Sequence, residues 1–235
     1  MRAVTPLHPW QGRARLHTGL ALFVGRAGDN RAHAHLAHQL CLAAPGTRLR
    51  VQTDAGLWTG RACWIPGQTR HTLLALDGLL LWVDPTHTLA TELPAATGLQ
   101  PLPPAWRTRL EALVVEPDLR ALAAAPAGGD VRLQAVLAYL HAGLAQAAPL
   151  RRAELARVAG LSPDRFTHWF SEQTGLPLRA YRKWLRLLAA LQQVLAGAAL
   201  VDAAHAAGFA DQAHFARTLR ETLGVSASVA LRALA

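Results

Sequence analysis

Apolar residues follow two different patterns along the chain, and the change lies near residue 130. Between about residues 15 and 95 they alternate with polar residues or form short runs, as in "TRLRVQT" and "GRACWIPG", with turn sequences such as "APGT" and "ALDG" between them. Many short strands at this spacing are typical of a small β-barrel or sandwich. After residue 130 the apolar residues recur every three or four positions, which indicates helices throughout. The pattern therefore predicts an α+β fold in which a β-barrel precedes an all-α domain.

The stretch between the two patterns is predicted to be a linker with short helices. "PAATGLQPLPP" is rich in proline and "PAGGD" in glycine, as expected of chain breaks, and helical sequences lie between them. We thus expect three segments, 1–95, 96–129 and 130–235. The first linker helix is a candidate for homodimerisation, although packing against the barrel would explain its apolar stripe equally well. The stripe consists of Trp106, Leu110, Leu113 and Val114.

The charge balance points to a polyanionic partner for the helical segment. The formal net charge is +9, with a pI near 11.2. Up to residue 130, 12 arginines stand against 9 acidic residues (+3), whereas 11 arginines and one lysine stand against 6 acidic residues afterwards (+6). An excess concentrated at one end favours binding to nucleic acid. Arginine and alanine are abundant throughout, so a bias in base composition is the competing explanation.

Composition also limits the class of protein. Hydrophobic residues make up 51% of the chain, which excludes a disordered protein. The apolar run "HTLLALDGLLLWV" is interrupted by Asp77 and Gly78 and is too short to span a membrane, and the first 20 residues lack the apolar block of a signal peptide. Two cysteines, Cys41 and Cys63, form no disulfide framework, which suits a reducing compartment. We therefore expect a cytoplasmic protein that does not bind membranes.

One sequence plan occurs twice in the helical segment. "AELARVAGLSPDRFTHWFSEQTG" (153–175) and "LVDAAHAAGFADQAHFARTLRETLG" (200–224) each combine a short helix, a glycine, a bulky apolar residue and a second helix. Glycine tolerates the positive φ that a tight turn between helices needs. A joining helix of roughly 17 to 19 residues spans about 25 to 29 Å. With its flanking turns it can hold two recognition helices about one duplex turn apart, roughly 34 Å, in successive major grooves.

These residues resemble a known family. "AGLSP", "FSEQTG", "AAGFADQAHFAR" and "GVSAS" are similar to the DNA-binding domain of AraC family transcription regulators, and the resemblance covers residues 131 to about 232. It implies double-stranded DNA as a partner and RNA polymerase as a further one. The implied base contacts are Asp164, Thr167, His168, Ala213, His214 and Arg217. The implied phosphate contacts are Ser162, Arg165, Lys183, Arg186, Gln212 and Arg220.

Two features of this resemblance bear on DNA recognition. Ala210 stands where the family often has a capping serine or threonine, so Asp211 is expected to cap the second recognition helix. Arg217 lies on the face predicted to be exposed and can engage a guanine through two hydrogen bonds. We therefore expect Arg217 to contribute most to sequence specificity.

Three histidines lie close together in "RAHAHLAHQL". In a strand, His33, His35 and Gln39 share one face while His38 points to the other. The stretch resembles the first cupin motif, and "GRACWIPGQTRH", which ends at His71, resembles the second. The resemblance implies a cupin-like barrel that brings His33, His35, Gln39 and His71 together. Metal-binding cupins hold a divalent ion there with three histidines and a glutamate.

Gln39 replaces that glutamate and leaves three interpretations open. A neutral amide is a poorer ligand than a carboxylate and compensates no charge. His33, His35 and His71 can bind Zn²⁺ with water as the fourth ligand; alternatively, the site is a metal-free pocket for a small effector, or the histidines have no ligand role. The predicted pocket consists of His33, His35, Gln39, His71, Trp64 and Trp82.

The leading hypothesis is a sequence-specific, DNA-binding transcription regulator. Its cupin-like barrel senses a small effector or a metal ion and modulates operator binding by the two helix-turn-helix units. We expect a nucleoid-associated homodimer with no catalytic residues and no required cofactor, Zn²⁺ being the candidate metal. The alternative is a cupin metalloenzyme, such as a dioxygenase or an isomerase, fused to a DNA-binding domain. Gln39 in place of a carboxylate weakens that alternative.

Overall fold

The computed structural model describes residues 10–28, 30–123, 130–145 and 151–227. Contacts between residues divide the chain into two units. One combines Met1–Ala125 with Ala216–Ala235, and the other is Pro126–Phe215. The ends of the three predicted segments fall partly outside the described residues, so their boundaries stay a prediction.

An antiparallel sheet forms most of the first unit. Its strands are β1 (Gln11–His17), β2 (Leu20–Ala27), β3 (His38–Ala43), β4 (Leu49–Thr53), β5 (Gly56–Gly60), β6 (Ala62–Ile65), β7 (His71–Val83) and β8 (Gln100–Pro101). The hydrogen-bonded order is β1-β2-β7-β3-β6-β8, and β4 pairs with β5 and β7. The described pairings do not return from β8 to β1, so these strands form an open sheet rather than a closed barrel. The prediction of a sheet domain followed by helices is confirmed.

The longest strand, β7, contradicts a predicted turn. The sequence predicts a break at "ALDG", yet β7 runs through it without interruption. Gly78 allows this because its φ is +152°, and a Cβ atom there would lie 2.1 Å from the carbonyl oxygen of Leu42. The first part of β7 pairs with β4, and the last part pairs with β2 and β3. The glycine therefore marks the point where one strand passes from one pairing to the next.

Helices follow the sheet. They are α1 (Pro104–Val115), α2 (Leu119–Ala123), α3 (Val131–Ala145), α4 (Arg152–Val158), α5 (Pro163–Thr174), α6 (Leu178–Leu195), α7 (Leu200–Ala206) and α8 (Gln212–Leu223), with a 3-10 helix at Thr88–Glu92 before them. Within the described ranges, no helix is long and apolar enough to cross a membrane. The prediction that the chain is helical after residue 130 is confirmed for the described part.

Helix α1 packs against one face of the sheet. Trp106, Leu110 and Leu113 are at most 5% exposed and lie in the same apolar cluster as Trp64 of β6. Burial of each such side chain contributes about 1.5–3 kcal/mol to folding. Val114, predicted to belong to the same stripe, is 44% exposed. The stripe is thus explained by packing on the sheet, and homodimerisation stays a prediction.

The predicted repeat of helix pairs is confirmed. Helices α4 and α7 have seven residues each, α5 and α8 have twelve each, and the 18-residue α6 joins the pairs. The hydroxyl of Ser162 accepts a hydrogen bond from the backbone N–H of Arg165 and caps α5. The carboxylate of Asp211 accepts one from the backbone N–H of His214 at 2.6 Å. Asp211 therefore caps α8, as the alanine at the preceding position predicts.

Candidate functional sites: a histidine cluster and two recognition helices

His33 and His35 lie in the loop before β3, whereas His71 follows the turn at 66–70 as the first residue of β7. Strand β3 begins only at His38, so the prediction that "RAHAHLAHQL" is a single strand is wrong. His33 instead forms an isolated antiparallel bridge with His71, in which each backbone N–H donates to the carbonyl oxygen of the other at 2.9 Å. The backbone N–H of Gln68 donates to the carbonyl oxygen of His35 at 2.6 Å. Alternation along a strand fails here, and backbone bonds between these two segments bring the histidines together.

The turn before His71 packs tightly against the loop of His35. A Cβ atom at Gly67 would lie 2.1 Å from the carbonyl oxygen of Leu36. The next residue, Gln68, has a φ of +65°, which is unusual for a residue other than glycine. Such strain persists only where the surroundings hold it, and it concentrates at binding sites. The glycine in "PGQT" was the sequence signal for this close approach.

The three imidazoles form a compact buried cluster. One ligand atom from each of His33, His35 and His71 lies within 4.8 Å of the other two. Their ring centroids are 4.4 to 5.6 Å apart. The residues are 5%, 3% and 1% exposed, respectively. Among the described residues, this is the one group of three or more histidine, cysteine or acidic side chains with the geometry to hold a metal ion.

Each imidazole is anchored through Nδ1 to the backbone of its own loop. In every case Nδ1 lies 2.8 or 2.9 Å from a carbonyl oxygen two residues away. The pairs are His33 with Arg31, His35 with Ala37, and His71 with Thr69. A carbonyl oxygen only accepts, so a neutral ring in such a contact has its proton on Nδ1 and a lone pair on Nε2. Metal-ligating histidines are oriented in the same way.

Burial keeps the cluster uncharged. Loss of solvation, followed by repulsion from neighbouring imidazoles, lowers the pKa of His35 to about 4 and that of His71 to about 3. Loss of solvation also lowers the pKa of His33, although the hydrogen bond to Arg31 opposes the shift. All three rings are therefore neutral at neutral pH. Their lone pairs suit a Lewis acid, whereas neutral rings are weak partners for an anion.

Gln39 adds an oxygen to the cluster. The indole N–H of Trp82 donates to Oε1 of Gln39 at 2.9 Å, and because an indole only donates, the atom it faces is the amide oxygen. The same Oε1 lies 2.9 Å from Nε2 of His35, whose Nδ1 faces the carbonyl oxygen of Ala37. Both ring nitrogens of His35 thus face oxygen atoms that accept hydrogen bonds, but a neutral imidazole carries only one N–H. The nitrogen without the proton therefore directs its lone pair at an oxygen lone pair.

The structure does not gather every predicted pocket residue. Trp64 is 1% exposed and belongs to the apolar cluster beneath α1, whereas Trp82 packs against the second apolar cluster, which contains Cys41. His38 points away from the other histidines, as predicted: its ring lies 5.8 Å from that of Trp64. The residues brought together are His33, His35, Gln39, His71 and Trp82.

The two helix-turn-helix units use the same hydrogen bonds in their turns. In each, the apolar residue after the glycine donates its N–H to a carbonyl oxygen five residues earlier at 2.9 Å. The pairs are Leu161 with Ala156 and Phe209 with Ala204. The preceding glycines, Gly160 and Gly208, have φ of +65° and +75°. This positive φ is the reason for the glycine in both copies.

Each recognition helix, α5 and α8, has one apolar side and one accessible side. Phe166, Phe170 and Phe215 are fully buried. Of the predicted base-contacting residues, the exposed ones are Asp164, His168, Ala213 and Arg217, and the half-buried ones are Thr167 and His214. The carboxylate of Asp164 lies 3.6 Å from the guanidinium of Arg152. All six residues are at least partly exposed to solvent, and their base contacts stay a prediction.

Arg186 differs from the other predicted phosphate contacts. The exposed members of that set are Ser162, Arg165, Lys183, Gln212 and Arg220. Arg186 is half-buried, and its guanidinium donates to the carbonyl oxygen of Gly208 at 3.3 Å. The guanidinium also lies 5.8 Å from the centroid of the Phe209 ring. Arg186 therefore positions the second turn, a role that the sequence did not indicate.

Substitution of Arg186 tests this positioning role. Arg186→Ala should weaken binding to a duplex that the full chain selects from a randomised pool, by about 1 kcal/mol, because a cation–π contact and a hydrogen bond are lost. Arg186→Lys keeps the charge but loses the planar guanidinium. The affinity of the lysine variant for the duplex should therefore remain low, while the salt dependence of binding stays that of the wild type. Fluorescence anisotropy at several salt concentrations measures both. Full recovery in the lysine variant would identify Arg186 as a phosphate contact instead.

Comparisons with known proteins agree with this architecture. Residues 155–233 match a family described as a helix-turn-helix domain. An apo variant of ToxT from Vibrio cholerae superposes with a TM-score of 0.60 at 12% identity, covering 93% of this chain and 99% of that chain. Wild-type ToxT from the same organism, with a bound unsaturated fatty acid, superposes with a TM-score of 0.57 at 12% identity, covering 94% of this chain and 97% of that chain. No curated protein matches this chain. At these identities the solved structures show the fold alone.

Proposed function

We propose that this chain is an AraC-type DNA-binding transcription regulator that binds a divalent transition-metal ion, and that the ion controls its binding to operator DNA; the helix-turn-helix match over 155–233 supports the DNA-binding part. The proposed ligands are His33, His35 and His71, with Zn²⁺ as the candidate ion. One observation carries the proposal: Nε2 of His71 is buried beside two further imidazoles and has no hydrogen-bond partner in the described structure. A buried polar atom without a partner is costly, and a bound ion would supply the partner.

The chemistry of the surrounding residues fits such an ion. Three neutral imidazoles, each anchored through Nδ1, suit Zn²⁺ and other late transition metals. Oε1 of Gln39 is oriented by Trp82 and lies 2.9 Å from Nε2 of His35. An ion bound by both atoms removes the conflict between their lone pairs. When bound, the ion would link the loop of His33 and His35 to the start of β7 through coordination bonds, and Gln39 would add an oxygen ligand without adding negative charge.

An organic effector is the second candidate. A solved ToxT structure holds an unsaturated fatty acid, which is a property of that protein. A carboxylate needs cationic or N–H donors, whereas burial keeps His35 and His71 uncharged and their Nδ1 atoms contact backbone carbonyls. The cluster therefore favours a cation over a carboxylate. Trp64 also lies in a different apolar cluster, which removes one wall from the predicted pocket.

We infer a sensory rather than a catalytic site. The three histidines are at most 5% exposed, which leaves little room for a substrate. The further side chain that contacts them is the amide of Gln39, whereas a general base would require a group such as a carboxylate. A dioxygenase or isomerase activity is the weaker alternative for these reasons.

For DNA binding, we propose that α5 and α8 make the base contacts expected from the sequence and that the chain acts as a homodimer.

Metal content and operator affinity test the proposal together. Protein purified without an affinity tag and loaded with Zn²⁺ should retain one ion per chain after gel filtration. Its affinity for a duplex selected from a randomised pool should then change by roughly fivefold or more when a chelator removes the ion, which is a typical coupling. Mass spectrometry and fluorescence anisotropy provide the two measurements. A folded chain that retains no Zn²⁺ would refute the metal site, and unchanged affinity would refute metal control.

A further inference from the structure

We infer that the metal site is coupled to the second recognition helix through Gly224, the residue that follows α8. This inference rests on the proposed metal-binding function and specifies how occupancy of the site reaches the DNA-binding surface. The contacts concerned all lie within the unit that combines Met1–Ala125 with Ala216–Ala235. They connect one ligand, His33, to the end of α8 through a single intervening residue, Arg31.

Arg31 contacts both partners through its backbone. Its N–H donates to the carbonyl oxygen of Gly224 at 2.9 Å. Its own carbonyl oxygen accepts a hydrogen bond from Nδ1 of His33 at 2.8 Å. The orientation of the His33 ring and the position of the helix end are therefore fixed by two neighbouring peptide groups. This arrangement needs no side chain at residue 31.

Gly224 also lies directly against the metal-ligating ring. A Cβ atom at this position would lie 2.5 Å from the carbonyl oxygen of Arg31 and 2.6 Å from Nδ1 of His33. Real Cβ atoms essentially never approach other atoms so closely, so any other residue would displace the helix end or the ring. The helix end is thus in van der Waals contact with the site.

Metal binding would strengthen this connection. An ion on Nε2 fixes the ring and makes the Nδ1–H a stronger donor, because the cation withdraws electron density from the imidazole. The carbonyl and the N–H of Arg31 belong to adjacent peptide groups, so fixing the first also restricts the second. The stronger bond to Arg31 should therefore hold the bond from Arg31 to Gly224 in place. Occupancy of the site then restricts the motion of the end of α8.

The end of α8 carries predicted DNA contacts. The N–H of Gly224 donates to the carbonyl oxygen of Arg220 at 3.0 Å, which closes the last turn of the helix. Arg220 and Arg217 are both exposed and lie in the last two turns. A restraint at Gly224 therefore acts within two turns of both arginines. By thermodynamic reciprocity, operator binding must change the affinity for the ion by the same factor.

A matched pair of glycine variants separates this contact from backbone strain. Gly175 follows the 12-residue helix α5 just as Gly224 follows α8, and their φ values are +67° and +71°. Nothing lies within 4 Å of a Cβ atom at Gly175. Gly175→Ala and Gly224→Ala thus carry the same left-handed strain, but only the second reaches the histidine ring. Both are made in the full chain.

Amide hydrogen exchange with and without Zn²⁺ is the measurement. In the wild type and in Gly175→Ala, Zn²⁺ should slow exchange both around the ligand loops and around residues 220–225. In Gly224→Ala, the slowing should be confined to the ligand loops, or Zn²⁺ should bind on the order of fivefold more weakly or worse, because the new methyl group displaces the His33 ring.

The possible results separate the coupling from the metal site. Slowing confined to the ligand loops in the wild type would refute the coupling and leave the metal site intact. If Gly224→Ala shows the same response to Zn²⁺ as Gly175→Ala, the coupling is likewise refuted and the metal site remains intact. If Zn²⁺ slows exchange nowhere in the wild type, the metal site fails and the coupling fails with it.

Discussion

Replacement of His71 with alanine should abolish tight Zn²⁺ binding while the chain remains folded. His71 is the most buried of the three imidazoles, and its Nε2 has no other partner in the described structure. Loss of a residue that merely orients a ligand typically costs 10- to 100-fold in metal affinity. Loss of a ligand should cost more, so we expect a decrease of over about 100-fold. Competition with a chromophoric chelator measures the affinity, and circular dichroism verifies folding.

His38→Ala is the matched control. His38 belongs to the same stretch as His33 and His35, but its ring lies 5.8 Å from that of Trp64 and its Nδ1 accepts a hydrogen bond from the backbone N–H of Gly67. Its loss removes one hydrogen bond and no ligand, so Zn²⁺ affinity should fall by less than about tenfold. Trp82→Phe should give an intermediate result, about tenfold weaker binding, because Gln39 loses the indole donor that orients its oxygen. Equal losses in the His71 and His38 variants would contradict the assigned ligands.

The helical half was predictable because its signals are local. A glycine with positive φ, an N-cap and a periodic apolar stripe each act within one or two turns, so the sequence identifies them directly. Helix α5 begins after Ser162 and ends before Gly175, as predicted, and Asp211 supplies the cap at the start of α8. The engagement of Arg186 with the second turn was not predictable, because it depends on how α6 lies against Gly208.

The sheet half was less predictable because its pairings join distant residues. Asp77 and Gly78 look like a turn in the sequence, but pairing with three strands extends β7 through them. Likewise, the histidines converge through a bridge between His33 and His71 rather than through alternation on one strand. The residue types and the cupin-like spacing identified the site, whereas the tertiary hydrogen bonds determine its geometry.

Replacement of Arg217 with alanine should weaken binding to the selected duplex by about 1–3 kcal/mol and relax the preference at one base pair. Arg217 is exposed on α8, on the side away from the buried Phe215. A guanidinium there can donate two hydrogen bonds to a guanine, and no other base offers the same pair of acceptors in the major groove. Selection from a randomised pool with the variant identifies the relaxed position, and anisotropy gives the affinity.

Arg220→Ala distinguishes specific recognition from phosphate binding on the same helix. Arg220 is also exposed, lies one turn further along α8 and was predicted to contact phosphate. Its loss should weaken binding to selected and unrelated duplexes alike and reduce the slope of log K against log salt by about 1. The Arg217 variant should instead discriminate less between those duplexes. If the two variants lose affinity for both duplexes equally, α8 contributes charge but does not read the sequence, and specificity then rests on α5.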